Sequence, residues 1–167
     1  MPTPSKDAIA LLKADHRAVE ELFAKFESAR GAPAQAKIVR QICNELIIHT
    51  MIEEEIFYPG VRTNVEADLL DEAYVEHDCA KVLITELLEA EPDEDFYKAK
   101  VSVLQEQIEH HVKEEEKRSE GLFAQAKQNG ADVDALGEQL LARKQELLAM
   151  AKTDELPPPM LATMTPA

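Results

Sequence analysis

The stretch HTMIEEEIFYPG, residues 49–60, decides how the chain is to be read. Its acids suggest the solvated end of a helix, yet His49 and Glu53 stand four residues apart and so share one helical face. Traced back in steps of three and four, that face carries Leu46, Ile42 and Ile38, and forward it reaches Ile56. It is the apolar, core-facing side of an amphipathic helix, so His49 and Glu53 are predicted to point inward.

Three more ladders have the same form. Ile9, Leu12, His16, Val19, Phe23 and Phe26 make one; Leu70, Ala73, His77, Ala80, Ile84 and Leu87 make another; Val101, Leu104, Ile108, His111 and Glu115 make the last. The polar members are histidines and glutamates only. Helix signals divide the chain between the ladders. Ser5 with Asp7 begins a first helix that Gly31 and Pro33 end, and a second is predicted from Ala34 to Tyr58, stopped by Pro59 and Gly60. A third spans Ala67 to Ala90, and a fourth opens in EPDED, residues 91–95, and is predicted to run unbroken to QNG at 128–130. Asp132 caps a fifth segment with Val133, Leu136, Leu140, Leu147 and Leu148 along one side.

The fold class is therefore all-α: an antiparallel up-down four-helix bundle over residues 1–130 with an additional C-terminal helix. That amphipathic helix, residues 131–151, is expected to pack on the bundle or on a partner, leaving the chain a monomer or a homodimer. The Pro-rich tail, residues 152–167, is expected to be flexible or to lie along a neighbour.

A formal net charge of -15 repels phosphate backbones and anionic lipid, so neither nucleic acid nor membrane is an expected partner, whereas cations are. No apolar run approaches the roughly 20 residues that span a bilayer. The start MPTPSKDAIA lacks the basic and apolar regions of a signal peptide, and the expected location is cytoplasmic. Two cysteines, Cys43 and Cys79, are too few for a disulfide framework and read as buried thiols in a reducing compartment.

In antiparallel helices, residues at equal height are equidistant from the intervening turn, because the rise per residue is constant. The midpoint of His16 and His49 falls in GAP, that of His49 and His77 in GVRTN, and that of His77 and His111 in PDEDF, all predicted turns. Four histidines, one per helix, thus face inward at one level, with Glu53 and Glu115 a turn away. A weak repeat reinforces this: DH and EH at residues 15–16 and 76–77 are each followed at nearly equal distance by a histidine with a glutamate four residues on. A single inward histidine is an ordinary core residue. Six polar groups in one core layer, each costing on the order of several kcal/mol when unpartnered, call for a compensating cation. Imidazoles with carboxylates suit iron, and also manganese or zinc, and two carboxylates can bridge a metal pair. Glu54, Glu55, Glu114 and Glu116 read as solvated acids or acids behind the ligands, and His110, about 100° round the helix from the apolar ladder, reads as a rim residue.

The pattern of His16, HTMIEEEIFYP, EHD and HHVKEEEKRSEGLF resembles the hemerythrin-like, or HHE cation-binding, family, and ALGEQLLARKQELLA is similar to a tail segment of its bacterial members. The likeness covers about residues 5 to 150. It implies a non-haem, oxo- or hydroxo-bridged di-iron centre in which His16 and His49 hold one iron, His77 and His111 the other, and Glu53 and Glu115 bridge. The oxygen carriers of the family have a fifth histidine one turn from the one resembling His77. Here those positions are Ala73 and Lys81, leaving room for water, an outside ligand or a nearby side chain such as Tyr74. The implied function is binding of a small ligand (oxygen, nitric oxide or peroxide) for sensing, storage or stress protection. Two alternatives stand beside it: a di-iron oxidoreductase acting on peroxide or nitric oxide with an external electron donor, and an iron-sensing or other metal-binding module.

Overall fold

The computed structural model describes residues 7–165. Their helices are α1 (Ala8–Ser28), α2 (Ala32–Ile52), a π-helical turn (Glu53–Phe57) that runs directly into α3 (Tyr58–Val61), α4 (Ala67–Glu89), α5 (Tyr97–Glu116), α6 (Leu122–Gln128) and α7 (Val133–Lys152). No strand occurs among the described residues. Ser5 lies outside them; Asp7 caps α1, its carboxylate accepting from the Ile9 N–H at 2.7 Å and the Ala10 N–H at 3.3 Å. Such a cap satisfies donors that the first turn leaves open.

Helix α1 packs on α2, α2 on α4, α4 on α5, and α5 returns to α1. The faces turned to one another are the four ladders: their members are buried, except that Phe26, Ile38 and Ile56 are half-buried. The histidine layer splits the apolar core in two. On one side lie Leu12, Ile48, Ile52, Phe57, Leu70 and Phe123; on the other Val19, Phe23, Ile42, Leu46, Leu104 and Ile108.

Several helix boundaries differ from expectation: Pro33, read as ending the first helix, lies in the first turn of α2, and the fourth helix opens at Tyr97, after EPDED rather than within it. The second helix does not stop at Tyr58 but continues through Pro59 and Gly60 to Val61. Pro59 sits in the first turn of α3, and at the end of the π-helical turn before it the Tyr58 N–H bonds the Glu53 carbonyl, five residues back. That turn inserts one residue into the helical repeat. Ile56, expected inward, is left half-buried, and Phe57 and Tyr58 occupy the core instead. The fourth helix does not run unbroken to residue 128: α5 ends at Glu116 and α6 begins at Leu122. At Gly121 a Cβ would come within 2.5 Å of the Lys117 carbonyl oxygen and 2.7 Å of the Glu115 carbonyl oxygen, backbone atoms that cannot yield, so the break needs glycine. It folds Leu122, Phe123 and Ala126 into the core, where all three are buried.

Helix α7 lies across α1, α2 and the π-helical turn, with Leu136, Leu140 and Leu147 buried. The tail, read from the sequence as flexible or lying along a neighbour, has its described part folded back against α4, where Met160 to Met164 bond Lys81 and Asp78. No helix among the described residues is long and apolar enough to cross a membrane. Leu140 is fully buried, so Leu140→Ala is expected to cost about 2–5 kcal/mol through lost transfer energy and a residual cavity. The urea midpoint of the metal-free protein measures this, and an unchanged midpoint would mean that α7 contributes nothing to the fold.

Candidate metal centre

The six residues singled out in the sequence, His16, His49, Glu53, His77, His111 and Glu115, are all buried and converge on one layer. They form two groups that share Glu53: His16, His49, Glu53 and Glu115, whose ligand atoms lie within 4.8 Å of one another, and Glu53, His77 and His111, likewise within 4.8 Å. The Nε2 atoms of His16 and His49 are 3.2 Å apart, as are those of His77 and His111. Each glutamate reaches both pairs. Glu53 places Oε1 3.3 Å from His49 Nε2 and Oε2 3.0 Å from His77 Nε2; Glu115 places Oε1 3.1 Å from His111 Nε2 and Oε2 3.4 Å from His16 Nε2.

Each imidazole is held from behind by a carboxylate. His16 Nδ1 faces Glu116 at 3.4 Å, His49 Nδ1 faces Asp15 at 3.3 Å, His77 Nδ1 faces Glu54 at 2.9 Å and His111 Nδ1 faces Glu76 at 2.5 Å. A carboxylate only accepts, so Nδ1 carries the proton and Nε2 is left to face the centre. This is the arrangement that orients metal-bound histidines and raises their basicity. The pattern is two-fold: Asp15 and Glu76, which precede His16 and His77, hold the histidine of the neighbouring helix, while Glu54 and Glu116 cross to the other hairpin. Behind each carboxylate stands a cationic or basic group: Arg17 on Glu116, Lys144 on Asp15, Lys81 on Glu54, and His110 Nε2 at 3.3 Å from Glu76. His110, as its helical angle requires, is on the rim, its side chain 64% exposed. Glu55 instead pairs with Arg143 of α7.

Two buried carboxylate oxygens, Glu53 Oε1 and Glu115 Oε2, have no hydrogen-bond partner. Each lies near an imidazole nitrogen, at 3.3 and 3.4 Å, but outside hydrogen-bonding geometry. Orphaned oxygens in a buried layer, facing two imidazole nitrogens, suit a cation ligated by all four. The donor set fits a metal.

The hemerythrin HHE cation binding domain pattern matches residues 7–123. The chain belongs to the hemerythrin HHE cation-binding family. A solved structure of a hemerythrin HHE cation binding domain-containing protein from Mycobacterium kansasii shares the fold, with a TM-score of 0.72 over 89% of this chain and 94% of that one, at 23% identity. A curated relative, a DNA nickase from Nostoc sp., is 28% identical over 119 residues, which are 71% of this chain and 33% of that protein. The chain thus spans about a third of the length of that relative.

The residue that sequence reasoning missed in this HHE domain is Tyr58. Its hydroxyl, fully buried, is 2.6 Å from Glu115 Oε1, 3.0 Å from Glu53 Oε2, 3.1 Å from His77 Nε2 and 3.4 Å from His111 Nε2. It stands beside the second group, Glu53, His77 and His111. Tyr74, weighed for that place, packs edge-on against the Tyr58 ring at 5.1 Å. In an unbroken α-helix Tyr58, five residues after Glu53, would point well off its face; the π-helical turn brings it back, as such turns do at functional sites. Burial together with Glu115 and Glu53 pushes the hydroxyl well above its ordinary pKa, so it stays protonated and donates. Its single proton goes to the nearer acceptor, Glu115. Of the two cysteines expected to be buried, Cys43 is, and burial pushes its thiol up to about 12; Cys79 is only partly covered.

Without metal, the layer gathers protons. Burial opposes charge on His49, but Glu53 and Asp15 outweigh it and push the imidazole up to about 10. Burial and Glu115 disfavour the ionised form of Glu53, and His49 and His77 nevertheless hold it down at about 2. The stabilisation owed to His49 is fully present below its ordinary value of 6.5 and is lost as pH rises through about 10. Chelator-treated protein should therefore have a urea midpoint that falls between pH 7 and 10, and a flat or rising midpoint would contradict this charge balance.

Proposed function

We propose that the chain is a non-haem two-iron protein that takes up a small ligand, oxygen, nitric oxide or peroxide, inside an up-down bundle of α1, α2, α4 and α5. What carries the reading is the way Glu53 and Glu115 each turn one oxygen toward the His16–His49 pair and the other toward the His77–His111 pair. One metal would be held by His16 and His49 and the other by His77 and His111, with both glutamates between them. Iron is the metal implied by the family; manganese and zinc are compatible with the same donors. When bound, reduced iron supplies electrons and an open coordination position for a small molecule.

The chain's own residues set what can reach that position. A cavity of about 20 Å³ lies against the layer, lined by His16, His49, Val19, Leu46, Ile108 and Val112 among others. It has room for about one water-sized molecule, which suits a small ligand of this kind better than a bulky organic substrate. On the other side the Tyr58 hydroxyl is placed to donate a hydrogen bond to a polar group at the centre. The four carboxylates fix the imidazole rings, and the groups behind them hold those carboxylates in place.

Free thiols at Cys43 and Cys79 suit a reducing compartment, which in this reading is the cytoplasm. Nicking of DNA, the activity named for the Nostoc relative, is not part of it: a net charge of -15 opposes a phosphate backbone. Protein expressed with adequate iron should carry about two irons per chain by elemental analysis. His111→Ala should lose metal and His110→Ala should keep it, because position 110 is on the rim. Ferrous protein mixed anaerobically with nitric oxide, or rapidly with oxygen, should show a spectral change that His111→Ala lacks. Stoichiometric zinc that iron does not displace, or equal metal loss from both histidine variants, would overturn the reading.

A further inference from the structure

Lys81 is buried, 4% exposed, although a buried ammonium is costly unless it is fully partnered. Its partners are Glu54, with Oε1 at 2.8 Å and Oε2 at 2.9 Å, Asp78 Oδ1 at 3.4 Å, and the Met160 carbonyl oxygen at 2.8 Å. The last belongs to the C-terminal segment. Beside it, the buried Asp78 carboxylate accepts from the Ala162 N–H at 2.8 Å, the Thr163 N–H and hydroxyl at 2.7 Å each, and the Met164 N–H at 3.0 Å. One turn of α4 therefore grips the tail by five bonds: the ammonium takes a carbonyl, and the carboxylate takes three N–H groups and a hydroxyl. Charge-assisted bonds of this kind are among the stronger ones available.

The grip is continuous with the metal layer. Glu54 Oε1, 2.8 Å from Lys81, is also 2.9 Å from His77 Nδ1. On the other histidine pair, Glu116 is backed by Arg17 of α1 and Asp15 by Lys144 of α7. Among the described residues, Lys81 is the one of these cations that also bonds the tail.

We propose that Lys81 and the strap Met160–Met164 position Glu54 on His77, so that docking of the C-terminal segment sets how firmly the metal beside His77 and His111 is held. The metal beside His16 and His49 is left unaffected. The inference rests on the two-metal reading above. When the strap lifts, Lys81 loses one of its three partners and Glu54 loses its fixed cation, leaving the carboxylate free to turn toward solvent. His77 then loses the acceptor that fixes its ring. Lys81 is thus a positioning residue, acting through Glu54. Linkage makes the effect reciprocal: metal bound at His77 tightens the strap.

The test uses full-length protein loaded with two equivalents of cobalt(II) and challenged with a chelator. Thr163→Pro removes an N–H and a hydroxyl from Asp78 in the exposed tail, and Lys81→Met removes the ammonium. In both, one equivalent should leave about 10-fold faster, the scale of effect known for groups that orient metal ligands, while the other leaves at the wild-type rate. Arg17→Met, behind Glu116 and His16, should accelerate the opposite phase. Amide exchange at Ala162, Thr163 and Met164 should slow when wild type is loaded. Release from Thr163→Pro at the wild-type rate in both phases, or equal acceleration of both, would overturn the strap, whether or not Lys81→Met folds. Wild type that takes up no cobalt and no iron would overturn the two-metal reading itself, and the strap's role at the metal with it.

Discussion

Everything in this structure is organised around two carboxylates, Glu53 and Glu115, buried side by side in the middle of a helical core. Like charges at that depth repel, and Glu115 indeed disfavours ionisation of Glu53. Four imidazoles crowd the pair, yet one oxygen of each glutamate remains without a hydrogen bond. Protons on His49 and His111, both raised well above the ordinary histidine value, balance the charge in the absence of metal. A pair of cations would balance it better, since they can contact the orphaned oxygens that protons on the imidazoles leave unpartnered. The apolar core is divided to make room for this layer, and so the surrounding packing must hold without a continuous hydrophobic centre.

That demand explains the shells of alternating charge outside the layer. Each imidazole meets a carboxylate, and each carboxylate meets Arg17, Lys144, Lys81 or His110. The alternation lets charged groups descend from the surface to the centre without any being stranded. It also couples the centre to elements beyond α1, α2, α4 and α5. Through Lys144 and Asp15, α7 touches the histidine layer; through Lys81 and Glu54, so does the C-terminal segment. Phe123 of α6 stacks on the His16 ring at 5.8 Å, which gives the break after α5 its purpose in the fold.

Much of this was legible in the sequence. The ladders of steps of three and four located the inward faces, and the midpoints of successive histidines placed them at one height. The acids behind the ligands were half legible, because DH and EH marked Asp15 and Glu76 without saying which histidine each would hold. Three features were hidden for a physical reason. A π-helical turn leaves no composition signature, so Ile56 was expected where Phe57 and Tyr58 stand, and the hydroxyl at the centre went unassigned. The break at Lys117–Gly121 lies in a run of good helix formers, and only the tight backbone contact at Gly121 requires it. The tail's docking depends on backbone N–H groups meeting Asp78, which side-chain patterns do not encode.

The central claim is that the two glutamates join two metal ions. X-ray diffraction from iron-loaded crystals, with anomalous data collected at the iron edge, addresses it directly. The account predicts two peaks about 3.5–4 Å apart, the spacing of two-metal centres, one beside His16 and His49 and one beside His77 and His111, with Glu53 and Glu115 each in contact with both. A single peak, or two peaks that do not share both glutamates, would contradict it.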